Sequence, residues 1–179
     1  MDRAGEEAGW PRPARSPPED HAVPFRHPSA PYIQSGNVAF TTRNTDTAAI
    51  AATLQRALEE TLGVRSRVVV LSRAELAQVI ADNPFPDEAN PKHLHAVFRG
   101  AEVGAEEAAA VAAAERRARD NGGRDQAKVV GRTVYLRTPD GLGRSELAAQ
   151  LARPSPAGDR GGTARNWATV TRLLAMLDT

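Results

Sequence analysis

Residues 139–145 bring together groups that can hold an anion. They read Pro-Asp-Gly-Leu-Gly-Arg-Ser and lie between a predicted strand and a predicted helix. Free backbone N–H groups at a helix start attract negative charge, and a guanidinium adds to that attraction. The candidate anion-binding residues are Gly141, Gly143, Arg144 and Ser145. Glu146 stands where a third glycine would fall, so neither a dinucleotide fingerprint nor a P-loop is present. The alternative is structural: a tight turn followed by Ser145 as helix N-cap.

A second candidate lies near the C-terminus, where Thr163 is predicted to cap a helix that runs to about residue 177. Arg165 and Asn166 then fall in its first turn. A cation there opposes the helix dipole, so we expect Arg165 to have a partner. That partner is an acidic group, a bound anion or the loop at 139–145. The alternative is a surface arginine paired with a carboxylate such as Asp159.

Two further polar sets complete the candidates. Ser35, Gly36 and Asn37 form either a simple turn or a polar site at the end of a sheet. His93 and His95 alternate along a predicted strand, and Asp87 or Glu88 offers a third metal ligand. Because no helical His-Glu-x-x-His and no third histidine are near, we predict no metal and expect a polar strand end that includes Lys92.

Composition excludes several classes of protein. The chain has no cysteine, so disulfides, thiolate metal sites and cysteine nucleophiles are absent, which fits the cytoplasm. The net charge of +1 and the pI of 8.3 are too mild for a typical nucleic-acid-binding domain. No apolar run is long enough to span a membrane, no leader is apparent, and nothing predicts a cofactor.

Elements that position these residues follow from periodicity and caps. Residues 1–31 hold seven prolines and no period, so we expect a disordered N-terminal segment. After this segment we predict strands at 32–34 and 38–41. A helix over 47–62 follows, which begins at Asp46 or Thr47 and ends at Gly63. A buried strand at 67–71 then leads into a short helix whose capping box runs from Ser72 to Glu75.

The second half repeats this pattern. We predict a strand at 94–98, an Ala-rich helix over 104–120, paired strands at 128–130 and 133–136, a helix from Ser145 to about 152, and the C-terminal helix. The order β-α-β-β-α is that of a ferredoxin-like unit without its last strand. The order β-β-α-β of residues 32–71 is such a unit without its first strand and helix. The predicted class is therefore α+β with two ferredoxin-like units, an incomplete one at 32–82 and another at 83–179.

Five motifs in this order resemble the bacterial family called domain of unknown function 1697, over residues 32–178. They are Tyr32-Ile33-Gln34-Ser35-Gly36-Asn37-Val38, Asn83-Pro84-Phe85, Pro91-Lys92-His93-Leu94-His95, the stretch from Tyr135 to Ser145, and Thr163 to Val170. The resemblance implies a duplicated ferredoxin-like fold and no assigned activity.

The N-terminus departs from the family, whose members open with an apolar strand, an Arg-Gly-Ile-Asn segment and a helix. Residues 1–31 match neither element, so we expect the 68–71 strand to lack its neighbour. One hypothesis is that residues 1–31 come from a shifted frame or a misassigned start, and the other is a natural disordered extension. Sequencing of the upstream DNA tests the first hypothesis, which is excluded if no reading frame there encodes the missing strand and helix.

For function the sequence leaves several classes open. One is a cytoplasmic binding protein that holds an anion, such as the phosphate of a small molecule. The others are an enzyme of unknown reaction that uses the same polar turns, and a nucleic-acid-binding module, against which stands the small number of aromatics that suit RNA stacking. Convergence of Arg144, Ser145, Arg165 and Asn37 in one cleft would favour a single site.

Overall fold

The computed structural model describes residues 30–32, 36–153 and 162–178. These residues form a two-stranded hairpin, a four-stranded antiparallel sheet and five α-helices, which confirms the α+β class. The elements in chain order are β1 (Ala30–Tyr32), β2 (Asn37–Ala39), α1 (Thr47–Leu62), α2 (Arg73–Ala81), β3 (Leu94–Arg99), α3 (Ala105–Asp120), β4 (Gln126–Val130), β5 (Thr133–Arg137), α4 (Glu146–Leu151), β6 (Gly162–Asn166) and α5 (Trp167–Leu177), with a 3₁₀ turn at Leu142–Arg144.

The four-stranded sheet has the order β4-β5-β3-β6, and every neighbouring pair is antiparallel. From β3 to β6 the chain follows the order β-α-β-β-α-β, with the first strand between the third and the fourth. This is the element order of a ferredoxin-like unit. The last strand, β6, was not predicted from the sequence.

Both faces of this sheet are covered. On one face, α3 and α4 pack through Val111 and Leu147 against Val134 and Leu136. On the other face, α2 and α5 pack through side chains that include Leu76, Val79 and Val170, against Ala96, Phe98 and Tyr135. The alternation of side chains along a strand sends neighbours to opposite faces, so each face has its own core.

Tyr135 joins α2 to the sheet by a hydrogen bond as well as by packing. Its buried hydroxyl donates to the carbonyl of Val79 at 2.8 Å. That carbonyl lies in the last turn of α2, where helix carbonyls lack intrahelical donors. Burial raises the pKa of Tyr135 to about 12, so the hydroxyl keeps its proton and remains a donor.

The predicted helix boundaries in the first half are confirmed because their signals are local. The Asp46 carboxylate accepts the N–H of Ala49 and begins α1, and Gly63 ends it with a φ of 66°. Ser72 and Glu75 form both hydrogen bonds of the capping box at the start of α2. Each of these motifs needs only residues within one helical turn.

The buried strand predicted at 67–71 is wrong. These residues form no ladder, although Val68 to Leu71 are half-buried. A strand exists by pairing, and the described residues place no neighbouring strand beside this segment. A second complete ferredoxin-like unit is not seen in the described residues.

Two other boundaries need correction. Ala30 and Pro31, predicted as disordered, belong to β1, where Pro31 pairs with Val38. The prediction of disorder for residues 1–29 lies outside the described residues, as do Ile33 to Ser35. Helix α5 begins at Trp167 instead of near Thr163, because the preceding five residues extend along β3 as β6.

Within the part of the chain that the structure describes, no helix combines the length and the apolar character that crossing a membrane requires.

Candidate functional site

The 139–145 loop uses most of its polar groups to build the fold. The N–H of Gly141 donates to the carbonyl of Thr138, and the N–H groups of Arg144 and Ser145 donate within the 3₁₀ turn. Gly141 has a φ of 92°, a conformation that a side chain would strain. The guanidinium of Arg144 is exposed. These bonds support the structural alternative for the loop.

Ser145 is a buried N-cap with two partners. Its hydroxyl accepts the N–H of Ala148 at 2.9 Å and donates to the Asp125 carboxylate at 2.7 Å. Both Ser145 and Asp125 are buried. The hydroxyl therefore links the start of α4 to the segment before β4, and a ligand would have to displace an existing bond to reach it.

Arg165 lies in β6, so its predicted place in the first turn of a helix is wrong. Its register partner across the sheet is Ala96, and its side chain shares the α2/α5 face with Thr163, which pairs with Phe98. The guanidinium donates to the side chains of Asn37 and Thr163 and, at 2.8 Å, to the carbonyl of Ala164. Burial lowers the pKa of Arg165, because the charged form has lost water.

Asn37 comes from the opposite end of the chain. It follows Gly36, whose φ of 72° closes the hairpin, and its side chain is buried. Its contact with Arg165 holds the hairpin against β6 across 128 residues of sequence. Asn166, the neighbouring candidate, has a different task, since its side chain accepts the N–H of Thr169 and caps α5.

A cavity of about 400 Å³ opens beside the Arg165–Asn37 contact. Its apolar walls are Val70, Leu71, Leu76, Phe98, Leu173 and Leu177, and its polar rim includes threonines at 41, 42 and 163. Among the described residues, the charged side chains that line it belong to Arg73 and Arg165, and none is a carboxylate. Arg73 is paired at the surface with Asp178. The volume lies within the usual range of small-ligand sites.

The sequence candidates thus occupy two places. Arg165 and Asn37, the residue after Gly36, meet on the α2/α5 face of the sheet, whereas Arg144 and Ser145 lie beside α4 on the opposite face. The sheet separates them, so they do not form one cleft. Whether either place binds an anion stays a prediction.

The histidines do not assemble a metal site in the described residues, where no group of three histidine or carboxylate side chains is close enough to hold an ion. Nδ1 of His93 lies 3.4 Å from the Glu88 carboxylate, which also binds Arg137 at 2.8 Å. The hydrogen bond from the N–H of Asn90 lowers the pKa of Glu88 most, and Arg137 lowers it further, whereas desolvation acts in the opposite direction. Burial lowers the pKa of His95, which favours the neutral ring.

Sequence reasoning missed the cavity and the contact between Asn37 and Arg165. It selected both residues, each as a local feature, because a pair so far apart in sequence leaves no local pattern. The available signal was the expected need of Arg165 for a partner, for which the candidates were an acidic group, a bound anion or the 139–145 loop, and not an amide.

Comparison with known families adds one finding. The model of the family described as "Protein of unknown function (DUF1697)" matches residues 28–135. The chain belongs to this family. The DUF1697 match includes β1 to β4 and part of β5, with Asn37 and the walls of the cavity up to Phe98, but it ends before the 139–145 loop and Arg165. Neither the curated proteins nor the solved structures contain a match to the chain.

Proposed function

We propose that this protein binds an anionic ligand in the cavity beside Arg165. The ligand carries a phosphate or a carboxylate, as in a phosphorylated small molecule, on a body that contacts the apolar walls. The observation that carries the proposal is the position of Arg165: a half-buried guanidinium at the wall of a cavity of about 400 Å³. We place this activity in the cytoplasm.

Electrostatics favours an anion there. A guanidinium removed from water loses solvation, and an anion restores part of it through charge-assisted hydrogen bonds. Burial of Arg165 also lowers the pKa of its guanidinium, because it disfavours the charged form. Among the described residues that line the cavity, the charged ones are Arg73 and Arg165, so the charge at its wall is positive and suits an anion.

Asn37 and Thr163 support the same role. Both side chains accept hydrogen bonds from the guanidinium, which orient it before a ligand arrives. A group that is already oriented loses less conformational entropy on binding. The 141–145 loop, with Arg144, is the second candidate site, and the same experiment separates the two.

We also propose that the two halves of the chain are related by duplication. The order of β1, β2, α1 and the extended segment 67–71 parallels that of β4, β5, α4 and β6. In both halves a hairpin is followed by a helix and an extended segment. The first half would then be a ferredoxin-like unit without its first strand and helix.

The test of binding is a thermal-shift screen of phosphorylated metabolites and small carboxylates with the wild-type protein, Arg165→Gln and Arg144→Gln. A ligand at about 100 times its Kd stabilises the folded state by about 2.7 kcal/mol. For a chain of this size that corresponds to a rise in Tm of about 5–10 °C. We expect Arg165→Gln to abolish the rise and Arg144→Gln to keep it. The reverse result would move the site to the 141–145 loop, and no rise with any compound would refute anion binding.

A further inference from the structure

His95 is a buried titratable residue to which the anion site gives no role. It lies in β3, the strand of the four-stranded sheet that pairs with both β5 and β6. Its register partners are Leu136 on one side and Asn166 on the other. A change in the charge of His95 therefore acts on a strand that has a neighbour along each edge.

The side chain of His95 faces α3 and α4. Ala96 and Phe98 belong to the core on the α2/α5 face, whereas Val97 packs against the core on the opposite face. Because side chains alternate along a strand, His95 lies on the same face as Val97. The residue is only 7% exposed, so solvation by water can do little for a charge on the ring.

Nδ1 of the ring has no hydrogen-bond partner within the described part of the chain. A neutral imidazole tolerates this arrangement, since one of its two nitrogens carries no proton. A protonated imidazole carries a proton on both nitrogens, so Nδ1 would become a buried donor without an acceptor. Burial of an unpaired donor costs free energy, and the cost is larger for a charged group. The surroundings of His95 thus oppose its protonation.

No charged neighbour among the described residues compensates for this cost. The register partners Leu136 and Asn166 carry no charge, and His93 adds positive charge when it is protonated. Glu106 and Asp120 of α3 are exposed to solvent. The other carboxylates that α3, α4 and the loops on this face contribute have partners of their own: Glu107 with Arg99, Glu115 with Arg119, Asp125 with Ser145, Asp140 with Arg124 and Glu146 with Asn121. The arginines of these elements, Arg116, Arg117 and Arg144 included, have the wrong sign to stabilise a second cation.

We propose that His95 is a pH-sensitive switch in the core, whose neutral ring keeps the sheet packed and whose protonation loosens β3 and destabilises the fold at mildly acidic pH. This inference does not depend on the proposed anion site. It does bear on that site, because Phe98 of β3 and Arg165 of β6 both line the cavity.

The sign of the effect follows from linkage. Burial lowers the pKa of His95 below its usual value of 6.5, and the charge of His93 lowers it further. As the pH falls, the unfolded chain therefore takes up this proton before the folded chain does. The contribution of the neutral ring to stability is complete above the usual value of 6.5, and it is lost as the pH falls from there toward the folded pKa.

The test compares urea unfolding of the wild-type chain, His95→Gln and His93→Gln between about pH 8 and about pH 5, which brackets the ordinary histidine pKa. Glutamine takes up no proton in this range. His93→Gln is the matched control, because His93 lies two residues away but is partly exposed and has the Glu88 carboxylate 3.4 Å from its Nδ1. Circular dichroism verifies that each variant is folded at neutral pH.

We expect the folding equilibrium constant of wild type, relative to that of His95→Gln, to fall by at least about fivefold across this range, since each unit by which a pKa is lowered is worth tenfold. Relative to His93→Gln it should show no such fall. NMR of the wild-type chain tests the same claim without a variant: in the folded state the ring of His95 should titrate below the usual value of 6.5. This measurement decides the matter even if His95→Gln does not fold.

Three results would overturn the inference. The first is a ratio of wild type to His95→Gln that stays constant across the pH range. The second is a His95 ring that titrates at or above the usual value in the folded chain. The third is a loss of equal size relative to His93→Gln, which would assign the acid sensitivity to His93 instead.

Discussion

Replacement of Ser145 by alanine should destabilise the protein by about 2–4 kcal/mol. Loss of an N-cap costs about 1 kcal/mol, and the hydroxyl caps α4 through the N–H of Ala148. The same hydroxyl donates to Asp125, and a buried acceptor left without its donor costs about 1–3 kcal/mol more. The two contributions add because one atom makes both bonds. Urea denaturation followed by circular dichroism measures the change in the free energy of unfolding.

Ser72→Ala is the matched control. Ser72 also caps a helix, α2, but its hydroxyl bonds to a backbone N–H and no buried carboxylate depends on it. We expect Ser72→Ala to cost about 1 kcal/mol, as for an ordinary cap. A double-mutant cycle between Ser145→Ala and Asp125→Ala should give a coupling free energy of at least about 1 kcal/mol.

Equal losses for Ser145→Ala and Ser72→Ala, together with no coupling to Asp125, would refute this reasoning. The hydroxyl of Ser145 would then be dispensable to the fold and free for another role. The structural assignment of the 139–145 loop would lose its main support.

Three further predictions concern stability. Tyr135→Phe should lower the free energy of unfolding by about 1–3 kcal/mol, because the carbonyl of Val79 loses its donor; in urea denaturation, an unchanged midpoint would contradict the bond. Gly162→Ala should cost about 1–3 kcal/mol, since its Cβ would lie 2.7 Å from the carbonyl oxygen of Phe98; amide exchange in β6 should rise, and protection equal to wild type would argue against this close approach. Glu88→Gln should reduce stability at neutral pH. The difference in free energy of unfolding between this variant and wild type should shrink as the pH falls below the ordinary glutamate pKa of 4.5.

The sign of the Glu88 prediction follows from linkage. Its pKa is lower in the folded state than in the unfolded state, so the carboxylate contributes stability above the unfolded pKa and loses it as the pH falls through the folded pKa. The test compares the urea midpoints of both proteins between pH 3 and pH 7, which extends about two units on either side of the ordinary pKa of a glutamate. A difference that is constant across this range would show that Glu88 does not act through its charge.

The sequence predicts the elements whose signals are local. The caps at Asp46, Gly63, Ser72 and Ser145 each depend on residues within a few positions, and all four are seen. The turn at Gly131 between β4 and β5 is equally local, and Gly131 has a φ of 57°. The residues within such a motif are sufficient to determine its geometry.

Elements that depend on distant partners were not predictable in the same way. The apolar run at 67–71 has the composition of a buried strand, but without a neighbour it forms no ladder. Conversely, β6 reads Gly-Thr-Ala-Arg-Asn and has little strand propensity, yet it pairs along β3. Tertiary pairing overrides composition in both cases, and it also shifts the start of α5 from Thr163 to Trp167.

The candidate site shows the same division. Sequence reasoning selected Arg165 because its charge needed a partner, and it selected Asn37 as part of a turn. Their contact and the cavity beside it arise only when the hairpin packs near α5 and β6. The chemistry of single residues thus identifies the members of the site, and the fold brings them into contact.

An NMR titration of the ¹⁵N-labelled chain with the best ligand of the thermal-shift screen tests the central claim most directly. If the cavity beside Arg165 is the site, amide shifts should concentrate at Asn37 to Thr42 and at Thr163 to Arg165, and Arg165→Gln should remove them. Shifts confined to residues 141–145, with the amides around Arg165 unmoved, would contradict the account.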